Sequence, residues 1–393
     1  MYKYLCVLLI LVSGTSNAQE PVPPSQAMLK PLGITQFSPL YRRAIDVYFT
    51  AVAAYRKQDY IAAQKILQAL WLETPPGDPA WKKLQNEYRS LLSVADFGAP
   101  PAYAALRMLT DCVEWRIKNS LPVTPQTTVQ LTVVFVGQST GLEPATLAEL
   151  DKHEGRLTTN SLDAALNGLK GEQIVNDAYW LFDEYILAIT QGRTQVKRVF
   201  VRLPALDVQV GLHRGGVELP RKVSEQILTA VPAGIAQTTD WWHLVYPSHV
   251  PKAADFVNER FVTGGMRRLS GHSSSLCFVS EDLKFLRTAN QNGHRLLQET
   301  ERSAALPQWL QHEFFHYLFA SYPKLQLEAT EHQWFDRKTW PTDFVGSIEA
   351  DYYAEAMHKR LQLQTQLPLY ILLSHADLAR KDNWGQSKVY YSN

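Results

Sequence analysis

Cysteine and long hydrophobic runs are both scarce in this sequence. Three cysteines occur among 393 residues, which is too few for the disulfide framework that stabilises many small secreted domains. Beyond the N-terminus, no segment has the length of uninterrupted apolar sequence that indicates a membrane-spanning helix. The chain is therefore expected to bury a hydrophobic core of its own, and its length suffices for one large domain or two ordinary ones.

An excess of charge of one sign is also missing. The net charge is +1, with 46% hydrophobic and 20% charged residues, so no attraction to nucleic acid or to an anionic membrane is implied. Neither G-x-x-x-x-G-K-[ST] nor G-x-G-x-x-G, the motifs of nucleotide-binding proteins, occurs in the chain. The segment Gly271–Leu276 contains serines but lacks the second glycine of a hydrolase nucleophile elbow. Functions in nucleotide binding, nucleic-acid binding and serine hydrolysis are thus disfavoured.

The N-terminus, residues 1–18, has the pattern of a secretory signal peptide. Lys3 supplies a positive charge, an apolar run follows it, and a small-x-small cleavage site ends at Ala18. We therefore expect cleavage after Ala18 and export of the mature chain to the periplasm or out of the cell. Export leaves Cys112 and Cys277, for which an oxidising compartment permits one disulfide. Their separation in sequence does not decide whether they pair.

Two regions follow a linker that is rich in proline and glutamine at residues 19–37. Residues 38–122 have a helical pattern, and Ala51–Pro75 within them resembles one tetratricopeptide-type helical hairpin. A single repeat of that type cannot bury its hydrophobic face, and no second copy is evident. We therefore expect a helical N-terminal subdomain that packs on the rest of the chain and offers a surface to a protein partner.

Strand and helix signals share the region from residue 123 to residue 393. The run Thr127–Gly137 is rich in β-branched residues and is bounded by proline and glycine, as strands often are. Further strand-like segments lie at 197–213, 241–247 and 273–287, and helical segments at 161–190, 307–322 and 347–364. Strands followed by late helices predict an α+β fold for this region.

The helical segment 307–322 contains the sequence LQHEFFHYLFA and, within it, the motif H-E-x-x-H. His312 and His316 are four residues apart, so on a helix they direct two imidazoles to one side and suit a zinc ion. Glu313 lies about 100° round the helix from His312. From there it can take a proton from a zinc-bound water and return the proton to a leaving amine. The pattern indicates a Zn²⁺-dependent hydrolase.

The apolar neighbours of the motif decide between two positions for its helix. In one alternative the helix lies on the surface and its histidines merely face water. Leu310, Phe314, Phe315 and Leu318 flank the polar residues, however, and such a pattern is typical of a helix that packs in a core. We therefore predict that the motif helix is a core helix.

The third zinc ligand must come from outside the motif helix. The metzincin extension would place Gly and His where Phe319 and Tyr322 stand, so it is excluded. Downstream, Asp351–Ala356 reads DYYAEA, and here the chain resembles the gluzincin metallopeptidases whose ligand helix reads EFFAEA. The resemblance implies that Asp351 is the third zinc ligand, that Glu355 supports a histidine ligand from the second shell, and that the fold is zincin-like.

The resemblance departs from the family at the ligand position, where aspartate replaces glutamate. Aspartate is one methylene shorter, so the two helices would have to approach each other more closely. Glu349, about 200° round the helix from Asp351, is an alternative third ligand. His332, with its neighbour Glu331, is another.

Together these features predict an exported zinc metallopeptidase that acts on peptides or proteins, with Glu313 as the general base. An edge strand upstream of the motif is expected to align the substrate backbone by strand addition, and Ser273–Leu283 is the segment predicted to supply it. The alternative is a non-catalytic exported binding protein, in which the zinc site is structural or inactive and the helical region docks a partner. Glu313 favours the enzyme, because a purely structural zinc site needs no base.

Overall fold

The computed structural model describes residues 38–92, 100, 102–119, 123–136, 138–139, 160–161, 169–203, 211–213, 216–218, 229–246, 264–268, 275–280, 307, 310–311, 314, 342, 346 and 348–360. The predicted signal peptide and linker lie outside these ranges. Within them, no helix combines the length and the apolar character that crossing a membrane requires.

The described N-terminal part consists of helices, as the pattern of residues 38–122 predicts. They are α1 (Pro39–Arg56), α2 (Tyr60–Glu73), α3 (Pro79–Leu92) and α4 (Tyr103–Lys118). Proline is tolerated at the first position of α1 and α3, because the first N–H groups of a helix have no partner within it. Asp59 caps α2, since its carboxylate accepts a hydrogen bond from the Ala62 backbone N–H at 2.9 Å.

Aromatic side chains join α2, α3 and α4. The rings of Trp81 on α3 and Tyr103 on α4 lie 4.6 Å apart between centroids, and the Trp71 ring of α2 lies 5.8 Å from each. The indole N–H of Trp71 also donates a hydrogen bond to Thr110 Oγ1 on α4 at 3.0 Å. Such edge-to-face contacts between buried rings stabilise the packing beyond the burial of their area. Three helices therefore converge on the buried ring of Tyr103.

Cys112 lies on α4, and its thiol is buried. Burial raises its pKa, and the charges of Glu184 and Asp111 act in the same direction, so the thiol remains protonated. Cys112 is a free cysteine in the structure, so the disulfide with Cys277 that the sequence left open is not formed.

The strands of the described residues form one five-stranded sheet and two short hairpins. They are β1 (Thr127–Val136), β2 (Gln138–Ser139), β3 (Asn160–Ser161), β4 (Thr194–Leu203), β5 (Gly211–His213), β6 (Gly216–Glu218), β7 (Trp241–Tyr246), β8 (Gly264–Arg268) and β9 (Ser275–Ser280). The large sheet has the order β4-β1-β7-β9-β8. All its pairings are parallel except that of β8 with β9, which is antiparallel.

Strand β1 lies in the interior of the sheet between β4 and β7. The consecutive residues Leu131, Thr132, Val133 and Val134 are all buried, so both faces of the strand are covered. This explains the continuous β-branched run in the sequence, which is typical of parallel strands with packed faces. Helix α5 (Leu169–Ile189) provides the crossover from β1 to the parallel strand β4.

The edge of the sheet differs from the prediction. The segment Ser273–Leu283 was expected to be the edge strand, but β9 within it pairs with β7 on one side and with β8 on the other. Strands β4 and β8 are the two terminal strands of the described sheet. The apolar sequence SLCFVS of β9 suits an interior strand, whereas the sequence GGMRR of β8 has little strand propensity. The edge strand could therefore not be identified from the sequence.

The N-terminal helices contact α5 through the carboxylates of Glu184 and Asp177. Arg116 of α4 forms an ion pair with Glu184 at 2.9 Å, and the same carboxylate accepts a hydrogen bond from Tyr55 of α1 at 2.5 Å. Arg56 of α1 forms an ion pair with Asp177 at 2.7 Å. The predicted packing of the helical region on the rest of the chain is therefore present in the described residues, and the fold is a mixture of helices and strands in agreement with the α+β class.

Two further helices complete the described part. They are α6 (Ala233–Thr238), just before β7, and α7 (Glu349–Glu355), which continues as a π-helical turn, Ala356–Arg360. The second of these confirms the helix predicted around residues 347–364, and it packs against α4.

Candidate functional site

The motif residues His312, Glu313 and His316 lie outside the described residues, and so does the alternative ligand His332 with its neighbour Glu331. The segment that contains the motif is described at Pro307, Leu310, Gln311 and Phe314, which are helical and buried. These residues show where one side of the motif segment packs. They are the basis for the position of the candidate site.

Phe314 fixes this segment against the sheet and the helix that covers it. Its ring lies 5.2 Å from the ring of Trp241 on β7 and 5.7 Å from that of Phe182 on α5, measured between centroids. Gln311 adds a polar contact, because its Nε2 donates a hydrogen bond to the Tyr185 hydroxyl on α5 at 3.2 Å. The described residues of the segment therefore belong to the core, as the apolar neighbours of the motif predict.

Asp351 is completely buried at the start of α7, and its carboxylate faces α4. The Tyr103 hydroxyl donates a hydrogen bond to Oδ1, and Arg107 Nη1 lies 3.7 Å from the same oxygen. The Ile348 backbone N–H donates to Oδ2 at 3.4 Å. Burial raises the pKa of Tyr103 and the negative charge of Asp351 raises it further, so the phenol keeps the proton that it donates.

Glu349 is also buried, but two positions earlier on α7. A separation of two residues corresponds to about 200° round a helix, so Glu349 and Asp351 leave α7 on nearly opposite sides. The Tyr353 hydroxyl, one turn later, donates a hydrogen bond to Glu349 Oε1. Two acidic side chains are thus buried within one turn, and the carboxylate of Asp351 is directed at α4.

A row of polar residues continues along the contact between α4 and α7. Tyr103, Arg107 and Asp111 recur every four residues on α4 and therefore share a face. His358 Nε2 lies 3.1 Å from Asp111 Oδ2. Burial lowers the pKa of Arg107, but acidic groups that include Asp351, Asp111 and Glu355 raise it more, so the net shift is upward. Glu355, predicted to support a histidine ligand from the second shell, is the last residue of α7, and that role stays a prediction.

The contact between His358 and Asp111 is expected to make the stability of the folded protein depend on pH. Burial lowers the pKa of His358, but the hydrogen bond and the charge of Asp111 raise it more, so the net shift is upward. A raised pKa in the folded state stabilises the fold below the unfolded value of about 6.5. That stabilisation is lost as the pH rises through the folded-state pKa.

We therefore expect the difference in thermal midpoint between the wild type and His358→Gln to be larger at pH 5.5 than at pH 9. The difference should be modest, because the His358 side chain is 39% exposed. Thermal melts of both proteins in zinc-free buffer across this range measure it. An equal difference at both pH values would show that the pair does not stabilise the folded state.

His243 on β7 is a core residue. Its Nδ1 lies 2.8 Å from the Tyr179 hydroxyl on α5. Burial lowers the pKa of His243 to about 3, so the imidazole is neutral. A buried neutral histidine with a hydroxyl partner needs no metal to satisfy it.

Tyr103 and Arg107 are the site residues that sequence reasoning missed. They lie on α4, within the region that was predicted to be a helical subdomain separate from the zinc site. One signal was present: Tyr103, Arg107 and Asp111 form a polar stripe at four-residue spacing in a helix that is otherwise largely apolar. Such a stripe on a buried helix indicates a polar partner elsewhere in the chain.

The residues available for zinc fit the ion in type. Two imidazoles and one carboxylate are a common ligand set for catalytic zinc, which keeps a fourth position open for water. No cluster of three or more metal-binding side chains occurs within the described residues, and the two histidines of the expected set are not among them. Of the candidate ligands, the structure describes Glu349 and Asp351 on α7.

Comparison of the chain with protein-family models, with curated proteins and with solved structures finds no match.

Proposed function

We propose that this protein is an exported zinc metallopeptidase of gluzincin type with a zincin-like catalytic fold. Zinc would be held by His312, His316 and a carboxylate of α7. The observation that carries the proposal is the burial of Leu310, Gln311 and Phe314 against α5 and β7. The buried residues fix one side of the segment to the scaffold, and on a helix His312 and His316 would leave from the other side. A backing of this kind would hold two imidazoles in the positions that a metal requires.

Zinc bound there would act as a Lewis acid that activates a water molecule for attack on a peptide carbonyl. Glu313 takes the proton of the attacking water and passes it to the amine that leaves. The apolar contacts of Phe314 with Phe182 and Trp241 hold the motif segment in place. A rigid support of this kind keeps the base and the ligands at fixed distances, on which catalysis depends.

Glu349 is the carboxylate that we propose as the third ligand, in preference to Asp351. The Asp351 carboxylate is already directed at α4, where Tyr103 and Arg107 bind it. Glu349 leaves the helix on the other side and has the extra methylene that the gluzincin pattern contains. The hydrogen bond that it accepts from Tyr353 is compatible with metal binding, because carboxylates that ligate a metal are themselves usually hydrogen-bonded.

Strand β8 is the place where we propose that the substrate backbone binds. It is one of the two terminal strands of the described sheet, with β4 at the other edge, and it is the only strand there that pairs antiparallel. A terminal strand can hydrogen-bond an extended peptide as an additional strand. Strands β8 and β9 also precede the motif segment in the chain, as the prediction for a substrate-aligning strand requires.

Zinc content of purified variants tests the ligand set. Glu349→Gln keeps the shape of the side chain and an acceptor for Tyr353 but removes the anionic ligand, so we expect less than one tenth of the wild-type zinc after dialysis. Asp351→Asn, measured after the same dialysis, is expected to retain more zinc than Glu349→Gln, because asparagine keeps the acceptor for the Tyr103 hydrogen bond that orients α7. The opposite result, loss of zinc only in Asp351→Asn, would return the third ligand to Asp351.

The alternative function, a non-catalytic binding protein, finds little support in the described helices. Ile61 and Leu72 of α2 are exposed, but they are eleven positions apart along the helix. Single exposed apolar residues are normal on protein surfaces and do not form a docking patch. The described N-terminal helices instead use their polar residues to hold α5 and α7.

A further inference from the structure

The start of α7 is held by a group of contacts that the proposed reaction itself does not use. Helix α7 has seven residues before its π-helical turn, and a helix of that length is not stable by itself in water. Its position must therefore come from tertiary contacts. Among the described elements that precede it in the chain, α4 is its main neighbour.

The contact between α4 and α7 is centred on Asp351. Its carboxylate is fully buried, accepts hydrogen bonds from the Tyr103 hydroxyl and the Ile348 backbone N–H, and faces the Arg107 guanidinium. Hydrogen bonds to a charged acceptor are roughly twice as strong as those between neutral groups. A buried carboxylate with these partners fixes both the distance and the rotation of α7 relative to α4.

Two glycines bring a third segment to the same point. Gly346 has φ +138°, and a Cβ at this position would overlap the Asp351 side chain. Gly77, in the turn between α2 and α3, has φ +84° and packs against the Gly346 backbone, where a Cβ would lie 3.1 Å from Gly346 Cα. The Gly77 backbone also hydrogen-bonds Tyr103. Only residues without a side chain permit this close approach.

We infer that Tyr103 and Arg107 are positioning residues for the zinc site, acting on Glu349 through Asp351. This inference rests on the proposed function. Tyr103 and Asp351 are 248 residues apart in sequence. The N-terminal helices therefore contribute residues that position the zinc site. They are not a detachable domain, and zinc affinity depends on a hydroxyl group that belongs to α4.

The consequence follows from the geometry of α7. Without the Tyr103 hydroxyl, the Asp351 carboxylate loses a buried donor, and the short helix loses the contact that sets its rotation. Glu349 is two residues away on the same helix, so any rotation of α7 displaces its carboxylate from the metal. Mutation of residues that orient metal ligands without binding the metal typically lowers metal affinity by about 10- to 100-fold.

The test compares Tyr103→Phe with Tyr55→Phe in the mature full-length protein. Both changes remove a phenol that donates to a carboxylate between helices, because the Tyr55 hydroxyl donates to Glu184 Oε2 at 2.5 Å. Two quantities are measured: the zinc dissociation constant by competition with a chelator, and amide hydrogen exchange of residues 349–360 in the zinc-free protein. A second variant, Arg107→Lys, keeps the positive charge without the guanidinium.

We expect Tyr103→Phe to raise the zinc dissociation constant at least about tenfold and Arg107→Lys to raise it less. Tyr55→Phe should stay within about twofold of the wild type, because Tyr55 has no described contact with α7. Exchange in residues 349–360 should be faster in Tyr103→Phe and unchanged in Tyr55→Phe. An unchanged zinc affinity in Tyr103→Phe would overturn the inference while the proposed function stands. A wild type that binds no zinc would instead overturn the proposed function.

Discussion

Glu313→Gln is expected to lower the rate of peptide hydrolysis by a factor of about 10² to 10⁴ while leaving one zinc per chain. Glutamine has nearly the same shape as glutamate but cannot accept a proton from the attacking water, and general-base catalysis contributes an acceleration of this size. Zinc should remain because Glu313 stands beside the ligands. Hydrolysis of an unstructured protein such as casein, with zinc determined on the same samples, measures both quantities.

Glu114→Gln provides the matched control for this prediction, since Glu114 is exposed on α4 and the chemical change is identical. It should keep both wild-type activity and wild-type zinc. Full activity of Glu313→Gln in a zinc-loaded protein would exclude Glu313 as the base. Absence of activity in the wild type, despite one zinc per chain and a range of substrates, would favour a structural or inactive zinc site.

Asp351→Ala is expected to lower the free energy of unfolding by about 3 kcal/mol, even in zinc-free protein. The change leaves the buried Tyr103 hydroxyl and the Arg107 guanidinium without their carboxylate. Removal of one partner from a buried ion pair costs about 3–5 kcal/mol. The lower end applies because the Arg107 side chain is 20% exposed. Urea unfolding in the presence of a chelator measures the loss as a shift of the midpoint.

Asp111→Ala is the control for the stability prediction, because Asp111 pairs with the exposed His358 at the other end of the same helix contact. Partly exposed ion pairs contribute about 0–1 kcal/mol, so its midpoint should move little. Asp351→Asn should lie between the two, since asparagine still accepts from Tyr103 but carries no charge. Equal stability of Asp351→Ala and Asp111→Ala would show that the buried contact is not a main support of α7.

The elements that could be predicted from the sequence are those with a strong local pattern. The β-branched run of β1, the aromatic run of β7 and the small and apolar residues of α1 and α2 lie where they were expected. Strand β8 was missed because GGMRR has neither alternation nor β-branched residues. The order of strands in the sheet was beyond prediction too, since local patterns do not encode which strands become neighbours.

The candidate site shows the same division between local and long-range information. The motif and the acidic residues of α7 are readable from spacing along single helices. The role of Asp351 is different, because it depends on Tyr103 and Arg107, which lie far away in sequence. The family resemblance implies that Asp351 binds metal, which stays a prediction, and the neighbours of its carboxylate in the structure are a phenol and a guanidinium on α4. Only the packing of α4 on α7 separates these two roles.

Zinc content of the purified mature protein, wild type beside His316→Ala, is the measurement that tests the central claim most directly. We predict about one zinc per chain in the wild type and less than one tenth of that in the variant, because one imidazole of the ligand set is removed. A wild type that takes up no zinc after reconstitution, or a variant that keeps its zinc, would contradict the proposal that this protein is a zinc metallopeptidase.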